Sequence, residues 1–350
     1  MSKFWSPTVR ELTPYVPGEQ PRERLIKLNT NENPYPPAPG VGQVLRDYPT
    51  DHLRLYPDPE AMALRSALAR EHGVEIEQVF VGNGSDEVLA LAFQAFFCQE
   101  RPLSMPDITY SFYPVYCRLY DIDYRTLPLD EWQVPLDDID PKSGGVIFAN
   151  PNAPTGHGHG RTAIASMLER VSECVVLVDE AYVDFGGESA VPLIERYPNL
   201  LVTGTFSKSR SLAGIRLGYA IGSRELIEGL ERVKNSFNSY PIDSLASAVG
   251  VAALEDSAHF EASREKVIIT RERTRRRLEA LGFEVLPSQA NFVLVRHPDY
   301  DAGQLFLGLR ERAILIRHFN TDMLRDFMRI SIGTDDEMDS LIEALEILIT

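Results

Sequence analysis

Two stretches decide the fold: Cys174–Val175–Val176–Leu177–Val178–Asp179–Glu180 and Leu200–Leu201–Val202–Thr203–Gly204–Thr205–Phe206–Ser207–Lys208. Each begins as a continuous apolar run rich in β-branched residues, which suits a parallel strand buried on both faces. Each then stops in polar residues, an acid pair in one and a Ser-Lys pair in the other. The pattern recurs on either side. Val79–Phe80–Val81 runs into Gly82–Asn83–Gly84 and a helical stretch from Ser85 to about Cys98, and Gly145–Ala149 and Leu217–Ile221 are further strand candidates. Strands alternating with helices indicate an α/β sheet. In open sheets of that kind ligands bind beyond the carboxyl ends of the strands.

The last third differs. His259 to Leu281 reads as one long charged helix ended by Gly282, followed by strand candidates at Phe292–Val295, Ile314–Arg317 and Phe327–Ile332. A final helix, Glu337 to Ile349, carries Met338, Leu341, Ile342, Leu345 and Ile349 at helical spacing. This predicts a large domain over 48–258 and a smaller α+β domain over 259–350. Residues 1–47 are irregular and proline-rich and form an arm. Its strand-like run Leu25–Leu28 predicts that the arm docks.

Composition bounds the function. The chain has 350 residues, 44% apolar and 25% charged, which is ordinary for a globular protein of roughly two domains. Its net charge of −16 excludes nucleic acid as the main partner. It leaves room for an anionic small molecule at a locally positive site. Cys98, Cys117 and Cys174 form neither a zinc ribbon nor a disulfide framework, and a reducing compartment is expected. No signal peptide and no membrane span is legible. The chain reads as cytoplasmic.

Five polar clusters follow the strands. Gly82–Glu87 combines a tight glycine turn with a Ser85 helix cap, an arrangement suited to phosphate. Asn150–Pro151–Asn152–Ala153–Pro154–Thr155–Gly156 is a rigid turn, and His157 and His159 after it read as a solvated loop. Asp179, at the end of a buried strand, is costly without a partner; a metal or a cationic ring nitrogen would serve. Lys208 at the mouth of a sheet is a nucleophile candidate, with Thr205, Ser207 and Arg216 placed to hold phosphate. Arg329, in Phe327–Gly333, and Arg317 lie in apolar strand-like runs and need anions or a wet cleft.

A phosphate cradle, a carboxylate, a lysine and paired arginines together resemble fold type I, the aspartate-aminotransferase-like enzymes that use pyridoxal 5'-phosphate. That resemblance implies a large domain with a mixed, mostly parallel sheet flanked by helices, plus a smaller α+β domain. It puts the Schiff base on Lys208, with Asp179 at the pyridinium nitrogen. Tyr182 would meet the ring's phenolic oxygen and Tyr110 would stack on the ring. Gly84, Ser85, Asp86, Thr205, Ser207 and Arg216 would surround the phosphate. Further motifs narrow it: Leu12–Tyr15, Leu28–Asn29–Thr30–Asn31–Glu32–Asn33–Pro34, Leu55–Tyr56–Pro57 and the Arg329 segment. With them the chain is similar to the histidinol-phosphate aminotransferase family, class-II aminotransferases, from about residue 9 to the end. Membership implies a homodimer in which Tyr56 reaches the neighbouring subunit's cofactor phosphate and the arm, with Tyr15 and Asn31, closes over the substrate. Arg317 and Arg329 would hold the phosphate of histidinol phosphate or a carboxylate of glutamate or 2-oxoglutarate. The family has asparagine before Pro-Thr-Gly where this chain has Ala153, so Asn152 or Tyr182 would serve the ring oxygen. An aromatic amino-acid aminotransferase and a threonine-phosphate decarboxylase share the fold and would need Lys208 as well. A dehydrogenase lacks support because the third glycine of its fingerprint is missing. A non-catalytic fold relative could dispense with Lys208 and Asp179, and this chain has both.

Overall fold

A computed structural model describes residues 2–23 and 25–350. Seven strands form the main sheet, in the order Val79–Asn83, Leu217–Gly222, Leu200–Thr205, Val176–Asp179, Gly145–Ala149, Leu103–Pro106 and Tyr124–Leu127. Leu217–Gly222 pairs antiparallel with both neighbours, and every other pairing is parallel. The continuous apolar runs thus mark burial correctly, but Leu217–Gly222 is not a parallel strand as its composition suggests. The chain between Thr205 and Leu217 holds no crossover helix, so the strand must return in the opposite direction. Helices cover both faces, and the sheet's side chains divide between separate apolar clusters, one around Phe80, Ile147 and Leu177 and another around Phe148, Val178 and Val202.

The second sheet has four antiparallel strands in the order Arg317–His318, Met328–Ser331, Phe292–Arg296 and Glu284–Val285. Its core joins Val293, Met328 and Ile330 to Leu278, Leu309, Leu341 and Leu345 from helices Ser257–Ala280, Ala302–Glu311 and Asp335–Leu348. The last helix starts two residues before the expected Glu337, because Thr334 and Glu337 form a reciprocal capping box. The expected strand Ile314–Arg317 splits in two. Ile314–Leu315 pairs in parallel with Ile26–Lys27, whereas Arg317–His318 joins the four-stranded sheet. The arm's apolar run therefore docks. Further along, Val41 of helix Pro39–Asp47 and Ala38 just before it pack with Leu64, Ala246 and Val249 beside the main sheet. The predicted helix from Ser85 to Cys98 is α-helical over Gly84–Ala92 and a single π turn over Phe93–Phe97. Among the described residues no helix is long and apolar enough to cross a membrane.

Candidate active site

The carboxyl ends of the central strands meet the small sheet in one cleft. At its large-domain side, Gly84 opens helix Gly84–Ala92 at φ +81°. A Cβ there would lie 2.5 Å from Arg216 Nη2, so only glycine fits both the left-handed backbone and the guanidinium. Gly218 does the matching work on the next strand, where a Cβ would lie 2.3 Å from Ser85 N. The turn, the helix N-terminus and Arg216 are thereby drawn together. Arg216 Nη2 donates to Asp86 Oδ2 at 2.9 Å. Tyr110 donates to Asp86 Oδ1 at 3.0 Å. Opposite, Ser207 N donates to Thr205 Oγ1 at 3.1 Å, and both residues are buried at the end of their strand. A helix N-terminus, two hydroxyls and a guanidinium make an anion cradle.

Beside the cradle Asp179 is buried at the end of Val176–Asp179. Burial pushes its carboxyl up to about 6, against the pull of hydrogen bonds from Tyr113 Oη at 2.9 Å and Ala181 N at 3.2 Å. Tyr113 is a residue that sequence reading overlooked; its position three after Tyr110, which puts it on the same face of the turn, was the available signal. The two rings meet edge to face at 5.6 Å. Lys208 Nζ lies 5.6 Å from the centre of the Tyr182 ring and donates to Thr30 O at 3.2 Å.

The segment Asn29–Asn33 threads the cleft between the two sheets. Asn31 holds a left-handed backbone at φ +56°. Its Nδ2 donates to Tyr182 Oη at 3.0 Å, while its Oδ1 accepts from Ser331 Oγ at 2.8 Å. Asn291 Nδ2 donates to Asn31 O at 3.0 Å. Arg329 Nη2 donates to Asn29 O at 2.9 Å. Arg317 and Arg329 stand directly opposite each other across their strands, an unfavourable pairing for like charges. Phe319 lies under both guanidiniums, 5.7 and 5.8 Å from its centre, and Phe292 lies 5.4 Å from Arg329. Arg329 Nε is sealed from solvent with no partner. Burial holds the Arg329 guanidinium below its usual range, with Arg317 pulling in the same direction, and among the described residues neither arginine makes an ion pair with an acid. Two cations without a carboxylate are a site for an anion.

The other expected residues stand as follows. Tyr15 packs on Phe112 at 4.8 Å, and Phe112 stacks on Tyr110 at 6.0 Å. Asn152 is buried and committed to its own loop and to the 108–109 segment: Nδ2 donates to Ile108 O at 3.0 Å and Thr155 Oγ1 at 3.2 Å, and Oδ1 accepts from Thr109 Oγ1 at 3.0 Å. Tyr56 stands apart from this cleft, 84% exposed and stacked at 4.8 Å on Tyr240. His157 and His159 are half-buried rather than solvated, because the loop folds under the chain at Gln289, and their rings sit 6.5 Å apart. Among the described residues no group of three potential metal ligands exists.

The fold and this cleft define a class of enzyme, and the comparisons agree. The family model described as aminotransferase class I and II matches residues 23–345. The chain belongs to that family. Within it, the chain is 76% identical over 347 residues to a histidinol-phosphate aminotransferase of Chromohalobacter salexigens, covering 99% of each. It is 57% identical over 351 residues to histidinol-phosphate aminotransferase 1 of Bordetella parapertussis, again covering 99% of each. Among solved structures it is similar to the histidinol-phosphate aminotransferase of Sinorhizobium meliloti in complex with pyridoxal 5'-phosphate, with TM-score 0.90, 26% identity and coverage of 100% and 98% of the two chains. A threonine-phosphate decarboxylase of Porphyromonas gingivalis, 23% identical with TM-score 0.81 over 93% of this chain and 99% of its own, has the same fold.

Proposed function

We propose that this protein is a pyridoxal-phosphate-dependent transaminase that interconverts histidinol phosphate and 2-oxoglutarate with imidazole-acetol phosphate and glutamate. The observation that carries the substrate assignment is the Arg317–Arg329 pair, two facing guanidiniums that make no ion pair among the described residues, with Tyr182 acting on Arg329. Such a pair can take a phosphate ester in one half-reaction and a carboxylate in the other. The relatives named above carry the same activity in their names.

The residues present fit the cofactor. Gly84, Ser85, Asp86, Thr205, Ser207 and Arg216 would hold its phosphate, in the cradle that a Cβ at Gly84 would fill. Asp179 would hold the ring nitrogen, with Tyr110 over the ring face. Bound pyridoxal phosphate supplies an electron sink for charge developing at the substrate's α-carbon. The chain's own residues do the rest. Lys208 Nζ would hold the cofactor at its aldehyde carbon and would serve as the base for the proton at the substrate's α-carbon. Asp179, braced by Tyr113, would hold a negative charge toward the ring nitrogen, whose cation would supply the partner the buried carboxyl lacks. Tyr182 Oη, aimed by Asn31, would donate to the ring oxygen. Asn152, with its amide nitrogen donating to Ile108 O and Thr155 Oγ1, braces Thr109 and the neighbouring Tyr110 instead. Arg317 and Arg329 fix the anionic end of the substrate, and Tyr15 on Phe112 covers its side chain.

The reading extends to a homodimer in the cytoplasm. The exposed Tyr56–Tyr240 pair supports a subunit that lends Tyr56 to its neighbour's phosphate cradle. The arm 1–47, the large domain 48–258 and the small domain 259–350 would then close together on the substrate. Single-turnover rates with histidinol phosphate, tyrosine, phenylalanine and threonine phosphate test the assignment. Histidinol phosphate should react fastest. A preference of orders of magnitude for tyrosine or phenylalanine would make this an aromatic amino-acid aminotransferase, and release of carbon dioxide from threonine phosphate would make it a decarboxylase.

A further inference from the structure

Asn33 touches the lysine's backbone rather than its side chain. Its Nδ2 donates to Lys208 O at 3.1 Å and to Ser209 O at 3.2 Å. Its Oδ1 accepts from Tyr35 N at 3.1 Å, which decides which end of the amide faces the turn. Pro34, Pro36 and Pro37 restrict the chain on its carboxyl side. From the other side Ser209 Oγ donates to Asp184, two residues beyond Tyr182. The Lys208–Ser209 peptide is thus gripped between the Asn29–Asn33 segment and the turn that carries Tyr182. The same segment touches Lys208 Nζ through Thr30 O.

We propose that Asn33 is a positioning residue for Lys208, holding the backbone from which Nζ reaches the reacting carbon. A lysine side chain is long and flexible, so the direction of its Cα–Cβ bond is the one part of its geometry that the fold can set firmly. Misplacement of a reacting group by an ångström is costly in rate. The proposal rests on Lys208 being the nucleophile, and its test separates the two.

Asn33→Ala removes both donors. Its kcat should fall by about thirtyfold in both half-reactions, the order expected for two lost hydrogen bonds to a reacting unit, while Michaelis constants stay within about threefold. Asn33→Asp sets a carboxylate against two carbonyl oxygens and regains one donor only when protonated. Its kcat should therefore rise as pH falls, a recovery absent from wild type. A third measurement needs no turnover. Apoenzyme is mixed with pyridoxal 5'-phosphate, quenched with borohydride at intervals and mapped by peptide mass spectrometry. The adduct should form on Lys208 in both proteins, and about tenfold more slowly in Asn33→Ala, in keeping with a less well oriented amine. Equal trapping rates on Lys208 with unchanged kcat would overturn the role of Asn33 and leave Lys208 as nucleophile. A lower melting temperature with kcat and trapping unchanged would do the same. An adduct on another lysine in wild type would overturn both.

Discussion

Asp179 and Glu180 are adjacent acids with opposite tasks, and burial explains both. Strand alternation turns Asp179 toward Tyr113 and the cleft, while Glu180 turns inward to accept from Ala190 N and Ser189 Oγ. Burial pushes the Glu180 carboxyl up to about 8. A folded pKa above the unfolded value means that the fold prefers the protonated form. The contribution of Glu180 is then fully present below about 4.5 and is lost as pH rises through about 8. Thermal melts of apoenzyme should show wild type losing stability relative to Glu180→Gln between those values; a difference independent of pH would mean that Glu180 does not titrate there. Asp179 is tested by chemistry. Asp179→Asn removes the charge proposed to face the ring nitrogen and should slow α-proton abstraction far more than it weakens substrate binding, as read by single-turnover absorbance. Lys208→Ala should bind pyridoxal phosphate without the borohydride-sensitive linkage and lose turnover; undiminished turnover would contradict the assignment.

At the scale of elements, each binding feature depends on a close approach between two pieces of chain. The cradle exists because helix Gly84–Ala92 abuts Leu217–Gly222 with no side chain between them. Gly84→Ala adds strain of roughly 1–3 kcal/mol at a positive φ and displaces Arg216. Equilibrium dialysis should show weaker pyridoxal phosphate binding, with the secondary structure intact by circular dichroism. The small sheet builds the anion site by register: Arg317 and Arg329 face each other because Arg317–His318 pairs with Met328–Ser331. Charge-assisted contacts contribute roughly 1.5–3 kcal/mol, about one to two decades in affinity. Arg329→Ala should therefore raise the Michaelis constants for both histidinol phosphate and glutamate by that order. Arg329→Lys should recover only part, since lysine lacks the planar fork. Normal constants in Arg329→Ala would make the arginine structural.

At the scale of the molecule, the active site gathers residues from distant parts of the chain. Asn31 meets Tyr182 and Ser331 across 151 and 300 positions. Tyr56 is the one expected site residue left outside the cleft, and an 84% exposed tyrosine stacked on Tyr240 suits a contact with a second subunit. Subunit mixing checks this. If the chain forms the proposed homodimer, Lys208→Ala and Tyr56→Ala proteins should each be impaired, while a hybrid of the two would hold one site with neither substitution. Mixing after mild dissociation should restore activity toward half the wild-type value per hybrid. No recovery would place Tyr56 in its own subunit's site or outside catalysis.

Much of this was legible without coordinates. Burial writes itself into composition, so the strands Val176–Asp179 and Leu200–Thr205 and their polar ends at Asp179 and Lys208 could be read directly. The same is true of the final helix, whose apolar residues recur at helical spacing. What could not be read were contacts that no local pattern encodes. Leu217–Gly222 runs antiparallel because of a connection, not a composition. Ile314–Leu315 leaves the small sheet to pair with Ile26–Lys27, and Tyr113 reaches Asp179 from 66 positions away. Asn152 offered the right chemistry for the ring oxygen, yet its amide is committed to Ile108 and Thr155. Local sequence sets which residues are buried and which elements form; hydrogen-bond partners far along the chain exist only once the two domains and the Asn29–Asn33 segment are packed together.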